Sequence, residues 1–173
     1  YTLDRRAADL ERLLEHLGLR ERITLVLHDW GGMIGMAYAT RHPHSIRRIV
    51  VLNTSAFPLP KTKPFPWQLA LARTPLGVFL VRGLNLFARS AARTCCRRRP
   101  LSREIRAAYL APYDSWRNRI AVMRFVQDIP LKAHDYSYAR VREVEQHLGL
   151  FRETPMLICW GERDFVFDHH FRR

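Results

Sequence analysis

The sequence predicts an α/β fold in which a partial parallel sheet is interrupted by a helical cap. Its strand candidates are continuous apolar runs, typical of parallel strands that are covered on both faces. Helical patterns separate these strands, as the connections of a parallel sheet require. The long stretch of residues 57–150 lacks strand character and carries its own helical periodicity. We therefore predict a sheet domain of residues 1–56 and 151–173, interrupted by a helical cap of residues 57–150.

Each element of the predicted sheet domain follows from a local pattern. Leucines and alanines recur at helical spacing through residues 4–17, and Gly18 is a typical C-terminal cap. Two glycines introduce a helix predicted over residues 32–41, which His42 and Pro43 end. The predicted strands are residues 23–28, 48–53 and 156–160.

The predicted cap opens with a proline-rich stretch, FPLPKTKPFPW, and continues as a series of helices. Ser102 and Ser115 stand where helix N-caps are expected. The predicted helices are residues 67–72, 76–89, 102–110, 115–126 and 136–148. We expect this cap to sit over the ends of the strands.

The composition limits the classes of protein to consider. With 173 residues, 47% of them hydrophobic, the chain is long enough to bury a core. Its longest apolar stretch, residues 69–88, is cut by arginine, proline and glycine, so neither a membrane span nor a signal peptide is predicted. The three cysteines match neither a disulfide framework nor a C-x-x-C metal site, so we expect reduced thiols and a cytoplasmic location.

A net charge of +13 raises the question of an anionic partner. The excess is local, because no acidic residue lies between Asp29 and Glu104, whereas that interval contains the run RRR at residues 97–99. No zinc-finger spacing or RNA-recognition motif accompanies it, which favours a basic docking face over nucleic-acid readout. The alternatives of another class are an inactive truncated fragment and a basic module that binds an acidic protein, an anionic membrane surface or nucleic acid through residues 89–106.

The first strand ends in the motif HDWGG and leads directly into a helix. Ligands of parallel sheets bind beyond the carboxyl ends of the strands, and a helix N-terminus favours an ionised carboxylate. We expect Gly31 and Gly32 to permit the sharp turn that exposes Asp29. A carboxylate attacks an electrophilic carbon without a base, so Asp29 is the candidate nucleophile; an N-capping aspartate without chemistry is the alternative.

Two further residues complete the candidate site. The indole N–H of Trp30 is suited to stabilise a departing halide or carboxylate, with plain packing as the alternative. Asp164 follows the third strand in WGERDFVFD and is the candidate acid that orients a histidine base; an Asx turn is the alternative, and Asp168 is the competing acid. His28 lies on the opposite side of the strand from Asp29 and is predicted to be a structural histidine.

The HDWGG motif resembles the branch of the α/β-hydrolase fold that contains haloalkane dehalogenases and epoxide hydrolases, in which an elbow aspartate is the nucleophile. The stretches VVLNTSAFPLP, AYLAPYDSWRNRIA, RFVQDIPL and WGERDFVFDHHF are more similar to the β-lactone decarboxylases of bacterial olefin biosynthesis. This resemblance implies Asp29 as nucleophile, Trp30 as leaving-group donor and Asp164 as the acid of the triad.

The same resemblance implies a hydrophobic substrate, a long-chain β-lactone that loses carbon dioxide to give an olefin. It implies no metal or organic cofactor, and partner enzymes of the olefin pathway for which the basic segment would be a docking face. Dehalogenation of haloalkanes and hydrolysis of epoxides are the alternative reactions. Asn53 stands where one dehalogenase subgroup keeps its acid, which argues against that subgroup.

The resemblance also sets an expectation about completeness. In the family, an oxyanion-hole loop precedes the elbow, and the catalytic histidine follows a further strand, so we expect that histidine to be absent from this chain. His169 and His170 lie too close to Asp164 to replace it, and as a metal pair they lack further ligands. We therefore expect a fragment of a longer enzyme, incomplete at both ends, whose open sheet makes the isolated chain unstable or prone to aggregation.

Overall fold

The computed structural model describes residues 1–65, 67–96 and 98–171, and for Gln68 it describes the backbone alone. The chain divides into two compact units. Unit 1 consists of Tyr1–Pro64 and Asp128–Arg173, and unit 2 is Phe65–Gln127. Each unit has a hydrophobic cluster of its own.

Unit 1 contains a three-stranded parallel sheet, which confirms the predicted fold class. The strands are β1 (Ile23–Asp29), β2 (Ile46–Thr54) and β3 (Met156–Cys159), in the order β1-β2-β3. Asp29 is paired with Thr54 at the carboxyl ends of β1 and β2. Because all three strands run in the same direction, the segments that follow them emerge at one edge of the sheet.

Eight α-helices are found in the described part of the chain, numbered in chain order. They are α1 (Leu3–His16), α2 (Trp30–Ala39), α3 (Trp67–Ala72), α4 (Pro75–Val78), α5 (Leu86–Thr94), α6 (Arg103–Leu110), α7 (Ile120–Gln127) and α8 (Tyr138–His147). Gly18 ends α1 as predicted, since its φ is 70° and its N–H donates to the Glu15 carbonyl at 3.0 Å. The Leu19 N–H donates to Leu14 at 2.9 Å, which completes a Schellman motif.

The core of unit 1 lies between one face of the sheet and the helices α1, α2 and α8. Leu27 and Ile49 are 4% and 1% exposed, and they pack in one cluster with Ala7 of α1 and Val144 of α8. The β-branched and leucine side chains of the strands thus supply the buried face that their apolar runs predict.

Within the described residues the other side of the sheet is open, unlike the two covered faces that the continuous apolar strands predict. Val26 and Leu157 are 65% and 57% exposed, and both are paired with Val50 of the central strand. Exposed apolar strand surface of this kind favours intermolecular pairing. The expected aggregation of the isolated chain stays a prediction, for which a soluble monomer with a cooperative unfolding transition would be the contrary result.

Unit 2 is helical, and its hydrophobic cluster is built on Val81, Met123 and Val126. The prediction of one continuous helix over residues 76–89 is wrong. Asn85 adopts a left-handed conformation with φ 53°, which separates a π-helical segment, Phe79–Gly83, from α5. Asparagine is one of the few residues that tolerates this conformation, so the break has a local cause.

The two predicted N-caps in this region behave differently. Ser102 caps α6, because its hydroxyl accepts a hydrogen bond from the Ile105 N–H at 3.2 Å. Ser115 accepts from the Asn118 N–H at 3.2 Å instead, within a turn that precedes α7. The predicted helix over residues 115–126 therefore begins later than expected, at Ile120.

The predicted cap, residues 57–150, extends beyond the helical unit Phe65–Gln127 at both ends. At the C-terminal side, α8 belongs to unit 1 and packs against α2 through Val144 and its neighbours in the core. The division at residues 57 and 150 stays a prediction. Among the residues that the structure describes, no helix is long and apolar enough to cross a membrane.

Candidate active site

The backbone turns sharply at Asp29, between β1 and α2. Asp29 has φ 51° and ψ −124°, a conformation that non-glycine residues rarely adopt and that costs about 1–3 kcal/mol. Its side chain accepts a hydrogen bond from the Trp30 N–H at 2.6 Å, and its backbone carbonyl accepts one from the Thr54 hydroxyl. The contact with Thr54 ties the strained residue to the neighbouring strand, so the fold itself holds the turn in place.

The two glycines after Trp30 do not make this turn, which corrects the sequence interpretation. Among glycines of the described residues, only Gly18 has a positive φ. Gly32 is instead required for close packing, because a Cβ there would lie 2.6 Å from the Ser55 carbonyl oxygen and closer still to the Thr54 hydroxyl. Nothing lies within 4 Å of a Cβ at Gly31.

Hydrogen bonding at the start of α2 separates Asp29 from an ordinary helix cap. An N-cap aspartate normally accepts from the second or third amide of its helix. Here the Gly32 N–H, the third amide of α2, donates to the Thr54 hydroxyl at 3.0 Å, whereas the hydrogen bond found to the Asp29 carboxylate among the described residues comes from the adjacent Trp30 N–H. Thr54 thus serves as the cap, and the exposed Asp29 carboxylate is directed to solvent at the strand end.

Trp30 is half-buried at the first position of α2. The guanidinium carbon of Arg6 lies 4.2 Å from the centre of its ring, in a cation–π contact. The indole therefore has a packing role, as the alternative interpretation expected, and this packing fixes the ring next to Asp29. His28, in contrast, is exposed and not the satisfied structural histidine that we predicted.

The segment after β3 is connected to the end of β2 by Asn53. Its side-chain amide donates to the carbonyls of Gly161 and Phe167 at 2.8 and 3.0 Å, and its oxygen accepts from the Gly161 N–H at 2.7 Å. Asn53 and Thr54 are consecutive, so one strand end holds both the segment around Asp164 and the turn at Asp29. Sequence reasoning used Asn53 only as an argument against one dehalogenase subgroup and missed this role.

Asp164 adopts the Asx-turn geometry that was its alternative interpretation. One carboxylate oxygen accepts from the Val166 and Phe167 N–H groups at 2.7 and 2.9 Å. These bonds hold the carboxylate at the same sheet edge as Asp29, and among the described residues no hydrogen bond to its second oxygen is found. The turn geometry is therefore compatible with the triad role, which stays a prediction.

Asp168, the competing acid, is engaged in an ion pair. Its carboxylate accepts from the Lys63 ammonium at 2.7 Å and from the N–H and ring of His170 at 3.0 and 2.8 Å. Burial opposes ionisation of Asp168, but the hydrogen bonds from Lys63 and His170 outweigh it and hold its pKa below the ordinary value. A carboxylate committed to these partners is poorly placed to orient a catalytic base.

Asp168 also corrects the expectation that the histidine pair lacks a further metal ligand. Within the described residues, ligand atoms of Asp168, His169 and His170 lie within 4.8 Å of one another. However, the Lys63 ammonium occupies the same carboxylate and would repel a cation there. The arrangement is therefore better suited to an ion-pair network than to a metal site.

We expect Asp168→Asn to lower the free energy of unfolding by about 1–2 kcal/mol at pH 7, through loss of charge-assisted hydrogen bonds. Because the pKa of Asp168 is lowered on folding, this stabilisation is present above its ordinary value of about 3.9 and is lost as the pH falls below it. Urea unfolding followed by tryptophan fluorescence, at a protein concentration too low for the intermolecular pairing expected of the open sheet, should show the difference from the parent chain shrinking towards pH 2. Asp9→Asn, at a carboxylate that is 53% exposed in a surface pair, is the control with little expected change. An equal effect of both variants at pH 7 would contradict the argument.

The strand, strained aspartate and close-packed helix together form the turn expected of a nucleophile elbow. A family model described as alpha/beta hydrolase fold matches residues 1–172. The chain belongs to the alpha/beta hydrolase fold family. Among solved structures of the fold, a haloalkane dehalogenase DbeA-M1 loop variant from Bradyrhizobium elkanii superimposes with a TM-score of 0.80 at 20% identity, covering 99% of this chain and 61% of that one.

Two curated relatives of this chain carry the same name, cis-3-alkyl-4-alkyloxetan-2-one decarboxylase. The protein of Shewanella oneidensis is 55% identical over 172 residues, which are 99% of this chain and 54% of the relative. The protein of Xanthomonas campestris is 47% identical over 172 residues, 99% of this chain and 57% of the relative. The chain thus spans about half the length of the curated relatives that it matches.

Proposed function

We propose that this chain carries the nucleophile elbow of an Asp-nucleophile alpha/beta hydrolase that acts on a hydrophobic β-lactone. The observation that carries the proposal is the exposed Asp29 carboxylate, held on a strained turn while Thr54 satisfies the helix amide that an N-cap aspartate would bind. Strain at a non-glycine residue persists where the surrounding structure enforces it, and such residues cluster at active sites.

The proposed chemistry follows from the charges. An oxygen of the Asp29 carboxylate attacks an electrophilic carbon of the substrate and forms an ester bond. The bond from that carbon to the ring oxygen breaks, and its electron pair leaves on a carboxylate that the Trp30 indole N–H stabilises. Asp164 would orient a histidine base in the later step. No metal or organic cofactor enters these steps.

The names of two relatives support a β-lactone as the substrate. The two relatives at 55% and 47% identity are named for decarboxylation of an alkyl-substituted oxetan-2-one, a four-membered lactone. Haloalkane dehalogenation is the second candidate, because a relative in Mycobacterium tuberculosis at 28% identity carries the name haloalkane dehalogenase 2. In that reaction a carbon–halogen bond would break and a halide would leave towards Trp30.

The test compares a cis-dialkyl β-lactone with a 1-bromoalkane of matched chain length on the 173-residue protein. We expect a covalent adduct with the lactone, detected by intact mass and located by peptide mapping on the segment that contains Asp29. Faster reaction with the bromoalkane and release of bromide would favour the dehalogenase candidate. Labelling of a different segment with both probes would contradict the proposal.

The proposal extends to location and partners. The three cysteines Cys95, Cys96 and Cys159 are free and exposed, which supports a reducing, cytoplasmic location. We propose that the basic segment, residues 89–106, binds partner enzymes that supply the hydrophobic β-lactone. If the chain binds an anionic partner, and this binding weakens with added salt but persists in Asp29→Asn, the alternative of a basic binding module is supported.

A further inference from the structure

We propose that Arg6 is a positioning residue that holds the Trp30 indole in its place beside Asp29. This inference rests on the proposed function, in which the Trp30 N–H stabilises the leaving group. Arg6 lies on α1, more than twenty residues before the elbow, and the tertiary fold brings it into contact with Trp30. No motif in the sequence links the two residues.

The contact is buried and specific. The Arg6 guanidinium carbon lies 4.2 Å from the centre of the Trp30 ring, and its Nη2 lies 3.2 Å from Oδ2 of Asp128. The side chains of Arg6 and Asp128 are only 9% and 7% exposed. Arg6 Nη2 also donates to the Tyr1 carbonyl at 3.0 Å. Two acceptors at Nη2 and the indole against its face restrict the guanidinium, and the plane of the guanidinium in turn restricts the ring on which it stacks.

Asp128 is itself held in place by a buried hydroxyl. The Ser137 hydroxyl donates to Asp128 at 2.7 Å and accepts from the Leu3 N–H at 3.3 Å. Ser137 is 1% exposed. The network therefore runs from the start of α1 through Ser137 and Asp128 to Arg6, and ends on the Trp30 ring.

Stability alone is a weak explanation for this ion pair. Burial lowers the pKa of Arg6 and raises that of Asp128, while the attraction between the two charges partly opposes both shifts. Buried pairs of this kind often contribute less to stability than apolar side chains of similar size would. A role in orienting a functional side chain gives a reason to place two charges here.

The stacking contact is compatible with leaving-group binding, because the two interactions use different parts of the indole. Arg6 contacts the face of the ring, whereas an anion would be held by the N–H in the ring plane. Arg6 would thus fix the direction in which the N–H meets a departing carboxylate or halide.

The first test measures the Trp30 indole directly, without any reaction. In a ¹⁵N–¹H spectrum of the full chain, the Trp30 indole signal is assigned by its loss in Trp30→Phe. We expect Arg6→Met to shift and broaden this signal, and Arg6→Lys, which keeps a charge on a flexible stem, to restore it in part. Arg5→Met is the matched control, because Arg5 is 63% exposed on the same helix. An unchanged Trp30 signal in Arg6→Met would overturn the inference.

The second test uses the adduct with the β-lactone probe. We expect Arg6→Met to slow formation of the Asp29 adduct at saturating probe by about 10- to 100-fold. The probe concentration that gives half the maximal rate should change less, because a misplaced indole N–H weakens stabilisation of the leaving group and not binding of the probe. If Arg6→Met does not fold, both tests use Asp128→Asn instead, because this variant removes the negative charge that pairs with Arg6. A parent chain that forms no adduct would count against the proposed function alone, because the indole signal still decides the role of Arg6.

Discussion

Replacing Asp29 with asparagine will slow formation of the β-lactone adduct by more than about 1,000-fold, because a neutral amide lacks the nucleophilic oxygen of a carboxylate. The substitution is chosen to leave the turn intact. Asparagine tolerates positive φ about as well as aspartate, and its amide oxygen can accept the same hydrogen bond from the Trp30 N–H. Intact mass after incubation with the probe measures the effect, and circular dichroism checks that the fold is unchanged.

Asp164→Asn is the control for this prediction. Asparagine can keep the two hydrogen bonds from Val166 and Phe167, so the segment after β3 should hold its conformation. The proposed role of Asp164 lies in orienting a base for the later step, and adduct formation by Asp164→Asn should therefore stay within about threefold of the parent rate. Equal labelling of the parent chain and Asp29→Asn would rule out Asp29 as the nucleophile.

Local patterns account for much of the fold and for the position of the candidate nucleophile. Three local predictions are confirmed by the structure: the apolar strand before Asp29, Gly18 at the end of α1, and the N-cap Ser102. Each depends on neighbours only a few residues away in the sequence. Likewise, the end of a parallel strand followed by a helix is a local signal, which is why Asp29 stands out in the sequence.

Contacts between distant parts of the chain could not be predicted in this way. Thr54 takes the helix amide of Gly32, and Asn53 holds the segment after β3, yet both are ordinary residues at the end of a strand. Their roles depend on strand register, which a single sequence does not determine. The stacking of Arg6 on Trp30 has the same origin, because α1 and α2 are separated by β1 in the sequence and come into contact through the tertiary fold.

One partial signal was present for Gly32. Two consecutive glycines at the start of a helix are unfavourable for helix formation, so at least one of them is expected to have a structural reason. Sequence reasoning assigned both to the turn, whereas the strained φ belongs to Asp29. The structure assigns the close approach to Gly32 alone, which turns the pair of glycines into an experiment with an internal control.

Gly32→Ala will lower the free energy of unfolding by about 2–3 kcal/mol, since the new methyl group would lie 2.6 Å from the Ser55 carbonyl and against the Thr54 hydroxyl. Moving α2 away from β2 to relieve this overlap would also break the Gly32 to Thr54 hydrogen bond and loosen the turn at Asp29. We therefore expect Gly32→Ala to slow adduct formation as well, which thermal or urea unfolding alone would not reveal.

Gly31→Ala adds the same methyl group one residue earlier, where nothing lies within 4 Å. Alanine favours the helix over glycine by roughly 0.5–1 kcal/mol, so this variant should be as stable as the parent or slightly more stable. Urea unfolding and the adduct rate of the two variants, measured side by side, separate packing at the elbow from a general effect of removing glycine. If both variants are equally destabilised, the close approach of Gly32 to Thr54 is not what holds Asp29 in its strained conformation.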